Sequence, residues 1–313
     1  MSKIKRDVNA FAQRVKMSRH TNLFLLVEGR VNDRPFYERL LKPYARERGI
    51  SFSVRIVEDL SLDGASSGGK PFALVLFKHL LKQNLLTQAN SEGKRFIGFA
   101  VDKDYDEYAI NGTTHDHIIL TESPDVESEI IRHSSLIRSV GSTYGLTRNQ
   151  TQRAIKSKEQ MFLDIAEAWL PWFSLRATAL AAGARDAARY GGLSVIHEKD
   201  FGPHLPATEA SLRQSILDWA ERNDRLAEVR LAEESVRSRI ETGRGFELVK
   251  GRWLTKYVRH LVEKRLAAET VSLDFPPDML VNVCLETIKF NRGWTMHYRR
   301  QFDLLMDISP EVR

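Results

Sequence analysis

A single cysteine, Cys284, stands in 313 residues, so the chain closes no internal disulfide and offers no thiolate-rich metal site. A lone cysteine of this kind is expected as a small, buried apolar side chain. No apolar run approaches the roughly 20 residues that a membrane-spanning helix needs, and no membrane partner is expected. The N-terminal Met1-Ser-Lys-Ile-Lys-Arg6 lacks the hydrophobic stretch of a secretory signal, so a cytoplasmic protein is expected. Internal repeats and low-complexity tracts are also missing.

What remains is an ordinary globular composition. Hydrophobic residues make up 42% and charged residues 28%, enough for a real core. The length allows one large domain or two ordinary ones. A net charge of +6 is a mild basic excess, compatible with a nucleic-acid partner.

The chain is organised around Asn22-Leu-Phe-Leu-Leu-Val-Glu-Gly-Arg30. A short apolar run bounded by a turn signal reads as a buried parallel strand. A second run, Arg95-Phe-Ile-Gly-Phe-Ala-Val101, ends in Asp102-Lys-Asp104-Tyr-Asp106. Open α/β sheets hold ligands at the carboxyl ends of their strands. If the two strands are parallel neighbours, Glu28, Asp102 and Asp104 converge at one rim, and a cation is the natural reason to assemble them. Magnesium or manganese suits such hard oxygen ligands. An ion held there can activate water and stabilise a leaving oxygen, with Glu28 as ligand or as general acid/base. Asp106 reads as a turn residue.

Residues 1–20 form a basic arm, with Phe11 and Val15 spaced for a short helix. Helices are expected after Asn32 or Asp33, after Pro71, and after a cap at Ser123 with Pro124 opening. Further strands are expected at Phe52–Glu58 and His117–Leu120, with a loop from Asp59 to Lys70. The alternation implies a parallel sheet flanked by helices over residues 21–140. Gly141–Gly145 reads as a hinge. Residues 146–313 read as mainly helix, with an interruption at Pro171 and a short strand ending at His197.

Val27-Glu28-Gly29, with Asp33 five residues after the glutamate and Phe36-Tyr-Glu-Arg-Leu-Leu41 beyond it, resembles the first motif of the TOPRIM fold. Val101-Asp102-Lys103-Asp104 resembles its Asp-x-Asp motif. TOPRIM domains occur in topoisomerases, primases and OLD-family nucleases. Gly68-Gly69-Lys70 between the motifs, and Thr121-Glu-Ser-Pro-Asp-Val-Glu127 after them, are similar to the DUF4435 group. That group supplies effectors of bacterial anti-phage systems, PARIS among them. The resemblance covers roughly residues 21–135, and the order and strand context of its short motifs carry the specificity. It implies that Glu28, Asp102 and Asp104 are the catalytic and metal carboxylates, with Glu127 as a supporting ligand. It also implies a toxic nuclease acting on host RNA, tRNA in particular, held silent by an ABC-type ATPase partner. Partner surfaces and oligomer changes, a homodimer among them, are then expected in the helical half. An OLD-like DNA nuclease and a non-catalytic scaffold are the alternatives.

Two rival motifs are weaker. Gly64-Ala-Ser-Ser-Gly-Gly-Lys70 has P-loop spacing, but Pro71 follows where a hydroxyl residue should bind magnesium, and it has no amide proton for phosphate. Lys70 remains a candidate for a substrate phosphate. His115-Asp-His117 places two imidazoles on one strand face, but nothing nearby completes a zinc set. Between Arg244 and Arg265 seven basic residues face Glu247 and Glu263 alone, with Trp253 and Tyr257 interleaved. Arg252, Lys256 and Arg259 are the substrate-binding candidates there, and the aromatics are either base-stacking or core residues.

Overall fold

The structure is a computed structural model that describes residues 5–65, 68–109, 114–184, 192–199, 201–269 and 275–307. Lys3 of the basic arm, and Ser66 and Ser67 of the glycine-rich loop, lie outside them. The chain divides into two compact units. Unit 1 is 1–102, 114–122 and 289–313; unit 2 is 103–113 and 123–288.

Unit 1 is an α/β sandwich. Its central strands are β2 (Leu23–Val27), β3 (Phe52–Ile56) and β6 (Gly93–Val101), in spatial order β3-β2-β6, all parallel. β6 pairs in register with β2, Val27 opposite Ala100. The far edge of β6 is shared: β5 (Thr87–Asn90) pairs antiparallel along its first half and β7 (Ile118–Leu120) parallel along its end. A separate two-residue pairing joins β1 (Arg6–Asp7) to β4 (Leu60–Ser61), inside the stretch read as loop. All five residues of β2 are buried, as a central parallel strand requires.

The two sheet faces use alternate residues. Phe24, Leu26, Ile97, Phe99 and Val101 pack with α1 (Val8–Met17) and α3 (Gly69–Lys82) through Phe11, Phe72, Leu76 and Leu80. The opposite face meets α2 (Asp33–Arg48) and the final helix, whose rings interlock: Phe36 lies 5.9 Å from Tyr298, and Tyr44 lies 5.4 Å from Phe302. Gly98 is dictated here, because a Cβ would come 2.3 Å from Leu305 Cδ1. The Tyr44 hydroxyl donates to Asp303 Oδ1 at 2.7 Å, and Arg48 pairs with Asp303 Oδ2 at 3.1 Å.

Unit 2 is helical: α4 (Val126–His133), α5 (Leu136–Tyr144), α6 (Arg148–Ala154), α7 (Lys158–Ala168), α8 (Leu170–Ala181), α9 (Pro206–Arg222), α10 (Leu226–Glu241), α11 (Gly251–Arg265) and α12 (Pro277–Thr287). α13 (Met296–Leu305) returns to unit 1. The cap of α4 is Asp125, not Ser123, because only the Asp125 carboxylate accepts a first-turn amide, that of Ser128. Gly141 lies inside α5, and Gly145 ends that helix in a left-handed conformation, φ +63°, so this stretch is a C-cap rather than a hinge. Pro171 opens α8 instead of interrupting a longer helix. The expected strand at 193–197 is a helical turn followed by one bridge at His197. Cys284 is buried and free. No helix among the described residues is long and apolar enough to cross a membrane.

Candidate functional site

In unit 1 the end of β2 delivers Glu28 and the end of β6 delivers Asp102, since the two strands are adjacent and parallel. The Asp102 amide donates to Glu28 Oε1 at 3.1 Å, so the glutamate is held against the neighbouring strand end. Asp33, expected as a cap, instead accepts from the Gly29 amide at 2.6 Å and folds the loop behind Glu28. Lys70, in the first turn of α3, donates its ammonium to the Asp102 carbonyl oxygen. The glycine-rich segment therefore serves to bring a lysine to the strand end that carries Asp102.

Asp104 and Glu127 belong to unit 2. Asp104 takes a left-handed backbone, φ +52°, uncommon for a residue with a side chain. Its amide donates to the Pro124 carbonyl at 2.8 Å, and its carboxylate pairs with the Lys250 ammonium. Glu127 lies half-buried in the first turn of α4, against Gly251, where a Cβ would come 2.1 Å from Glu127 Cβ. That close approach seats α11 on α4. Asp125, 6% exposed, accepts from the Ser128 amide at 2.8 Å, the Ser128 hydroxyl at 2.6 Å and the Gly251 amide at 2.9 Å. Burial pushes its carboxyl above the usual aspartate range despite those donors. Tyr105 is buried, donates to the Leu248 carbonyl, and has its hydroxyl pushed up chiefly by burial.

A cavity of about 240 Å³ opens beside Asp104 and Asp106, lined also by Arg176, Lys250, Arg252 and Trp172. Burial lowers the Arg176 pKa, and the charges of Tyr105 and Asp104 partly restore it. Cations on one side and carboxylates on the other suit a phosphate and a divalent ion together.

Arg252, Lys256 and Arg259 form an exposed stripe on α11, and Arg259 is paired with Glu263 at 2.9 Å. Base stacking on Trp253 is ruled out by packing. The ring is 5% exposed and meets Trp172 edge-on at 4.6 Å and Trp169 at 5.8 Å. Tyr298, near the second basic group, is likewise fully buried. The His115-His117 pair holds no zinc-ready nitrogen on His117, whose Nδ1 contacts the Ile97 carbonyl at 2.7 Å and whose Nε2 contacts Thr87 Oγ1 at 3.3 Å.

Sequence reasoning missed Lys250 as the partner of Asp104, Asp125 as the knot between α4 and α11, and Arg176. Lys250 was one cation among seven, and nothing local marked it. No protein-family model matches the chain, and no curated protein or solved structure is detectably similar to it.

Proposed function

We propose that the chain is a magnesium- or manganese-dependent endonuclease of TOPRIM type, with Glu28, Asp102 and Asp104 as its catalytic carboxylates. The observation that carries this reading is the pairing of Glu28 and Asp102 at the carboxyl ends of two adjacent parallel strands, joined at 3.1 Å. Asp104 follows two residues later, so its Cα lies within about 7 Å of that of Asp102 by chain length alone. The donor set is all hard oxygen and fits magnesium. The ammonium of Lys250 on Asp104 marks a carboxylate that accepts a cation. A bound ion would supply an activated water and a stabilised leaving oxygen. Lys70, Arg176 and Arg252 are placed to neutralise phosphate, and the exposed Arg252, Lys256 and Arg259 stripe to hold the flanking backbone. By resemblance, the substrate is host RNA, tRNA in particular, the setting is anti-phage defence, and an ABC-type ATPase partner keeps the enzyme silent.

The Lys250–Asp104 pair also supports a second reading, a non-catalytic TOPRIM scaffold, because a carboxylate satisfied by an ammonium needs no metal. Induced expression of wild type and Glu28→Ala, with growth scored and total RNA and genomic DNA run on gels, separates the two. Toxicity with tRNA-sized fragments that vanishes in Glu28→Ala is the expected result, and DNA smearing would keep the nuclease and change the substrate. Identical growth and intact nucleic acid in both, even with the ATPase partner and phage present, would leave the scaffold.

A further inference from the structure

Unit 2 carries another group of metal-ligating side chains, independent of the nuclease reading. His197 and His204 face one another across an antiparallel bridge. Directly opposed residues project to the same side of the pair. Their ring centroids are 5.5 Å apart. Glu209, in the first turn of α9, places Oε2 at 2.9 Å from His204 Nε2. Its other oxygen lies 3.8 Å from the Arg213 guanidinium, which orients the carboxylate.

His197 is 4% exposed. Its Nδ1 lies 3.3 Å from the Gly202 carbonyl oxygen. A carbonyl can only accept, so Nδ1 carries the hydrogen and Nε2 keeps a bare lone pair. That Nε2 is buried with no hydrogen-bond partner among the described residues. A buried acceptor left unmet costs free energy, and such groups call for an explanation. An ion pair between His204 and Glu209 would not require it. Burial lowers the His197 pKa, with the nearby His204 adding to the effect, which favours the neutral ring that ligates metal.

We propose that His197 Nε2, His204 Nε2 and Glu209 Oε2 form a zinc(II) site that ties the 197–204 loop to the start of α9. Two imidazoles and one carboxylate are a borderline donor set that suits zinc and not magnesium. The Nδ1–Gly202 contact is the outer-shell hydrogen bond that fixes the tautomer of a ligating histidine. Small ring rotations bring the three atoms to the about 2.0–2.2 Å that zinc requires, and water takes the fourth position.

The test uses the full-length chain, stripped with chelator and titrated with zinc or cobalt(II). One equivalent bound, with visible cobalt absorption of tetrahedral type and a rise in Tm, is expected. His197→Gln and His204→Gln should abolish the cobalt spectrum. Glu209→Gln, an isosteric change on a helix surface that leaves folding intact, should weaken zinc by about tenfold to a hundredfold. His117→Gln should bind as wild type does. Zinc uptake should also fall below about pH 6, as the imidazoles protonate. Absence of stoichiometric uptake by wild type, or uptake that survives Glu209→Gln and His197→Gln unchanged, would overturn the site.

Discussion

Replacing Asp125 tests how unit 2 holds its metal-side loop. The carboxylate caps α4 and also receives the amide of Gly251, the first residue of α11. An amide in the first turn of a helix has no partner within the helix. Asp125→Ala removes the cap, worth about 1 kcal/mol. It also leaves the buried Gly251 amide unmet, worth about 1–3 kcal/mol. The Ser128 hydroxyl still has the Val249 carbonyl at 2.8 Å, so it adds little. The total expected loss is about 2–4 kcal/mol. Asp125→Asn keeps the shape and one acceptor oxygen, and should cost about 1 kcal/mol. Urea unfolding followed by tryptophan fluorescence reads this directly, because Trp169, Trp172 and Trp253 are all buried in unit 2. The pH dependence supplies a second check. A carboxyl raised by burial stabilises the fold fully below its unfolded pKa, and that contribution is lost as pH rises through the folded value. The gap between wild type and Asp125→Asn should therefore narrow as pH rises from the ordinary aspartate range. An alanine variant within about 0.5 kcal/mol of wild type, or asparagine as costly as alanine, would refute the reasoning.

Glu129 should behave in the opposite sense. It is fully buried, accepts from the Ser123 amide, and has Oε2 at 3.1 Å from His133 Nε2. Burial raises its carboxyl, but the His133 hydrogen bond and charge outweigh this, and the pKa ends below the usual glutamate range. Its contribution is present above the unfolded pKa and lost as pH falls through the folded one. Glu129→Gln should cost about 1–3 kcal/mol at pH 7 and flatten the acid limb of a Tm-against-pH curve; an unchanged acid limb would count against the pair. Gly251→Ala should shift the urea midpoint by more than the about 1–3 kcal/mol of ordinary overpacking, because the new Cβ meets Glu127 Cβ at 2.1 Å and the Ser128 backbone nitrogen at 2.6 Å. A midpoint equal to wild type would show that α4 and α11 separate freely.

The fold was legible where burial is two-sided. Leu23–Val27 reads as a central strand because every residue is apolar, and the partner run up to Val101 reads the same way. Their parallel adjacency, on which the placing of Glu28 beside Asp102 depends, follows from the βαβ order. Short polar pairings were not legible. Thr87-Gln-Ala-Asn90 has no apolar period, and joins β6 only because that strand leaves half an edge open. Arg6–Asp7 and Leu60–Ser61 are two residues each. The return of 289–313 to unit 1 had no local signal either. It depends on Phe36, Tyr44 and Gly98 offering a surface to Tyr298, Phe302 and Leu305, contacts separated by roughly two hundred residues or more in sequence.

Site residues divide along the same physical line. Glu28 and Asp102 could be named because a carboxylate that ends an apolar strand interrupts a pattern. Asp125 breaks no pattern: an acidic residue before a helix is ordinary, and only its second role, accepting from the Gly251 amide, makes it costly to lose. Lys250 is hidden for a related reason. It stands among other cations, and its importance comes from the carboxylate that it meets, on a residue 146 positions earlier held at positive φ. The aromatic residues erred in the other direction. Trp253 alternates with basic residues as a stacking ring would, yet the same spacing places it on the inner stripe of α11 with Leu254, Val258 and Leu261. Helical period three or four decides its fate, and the charges beside it occupy the opposite face. A basic helix with interleaved aromatics therefore argues for phosphate contact through Arg252, Lys256 and Arg259, while the ring belongs to the core that holds them in place.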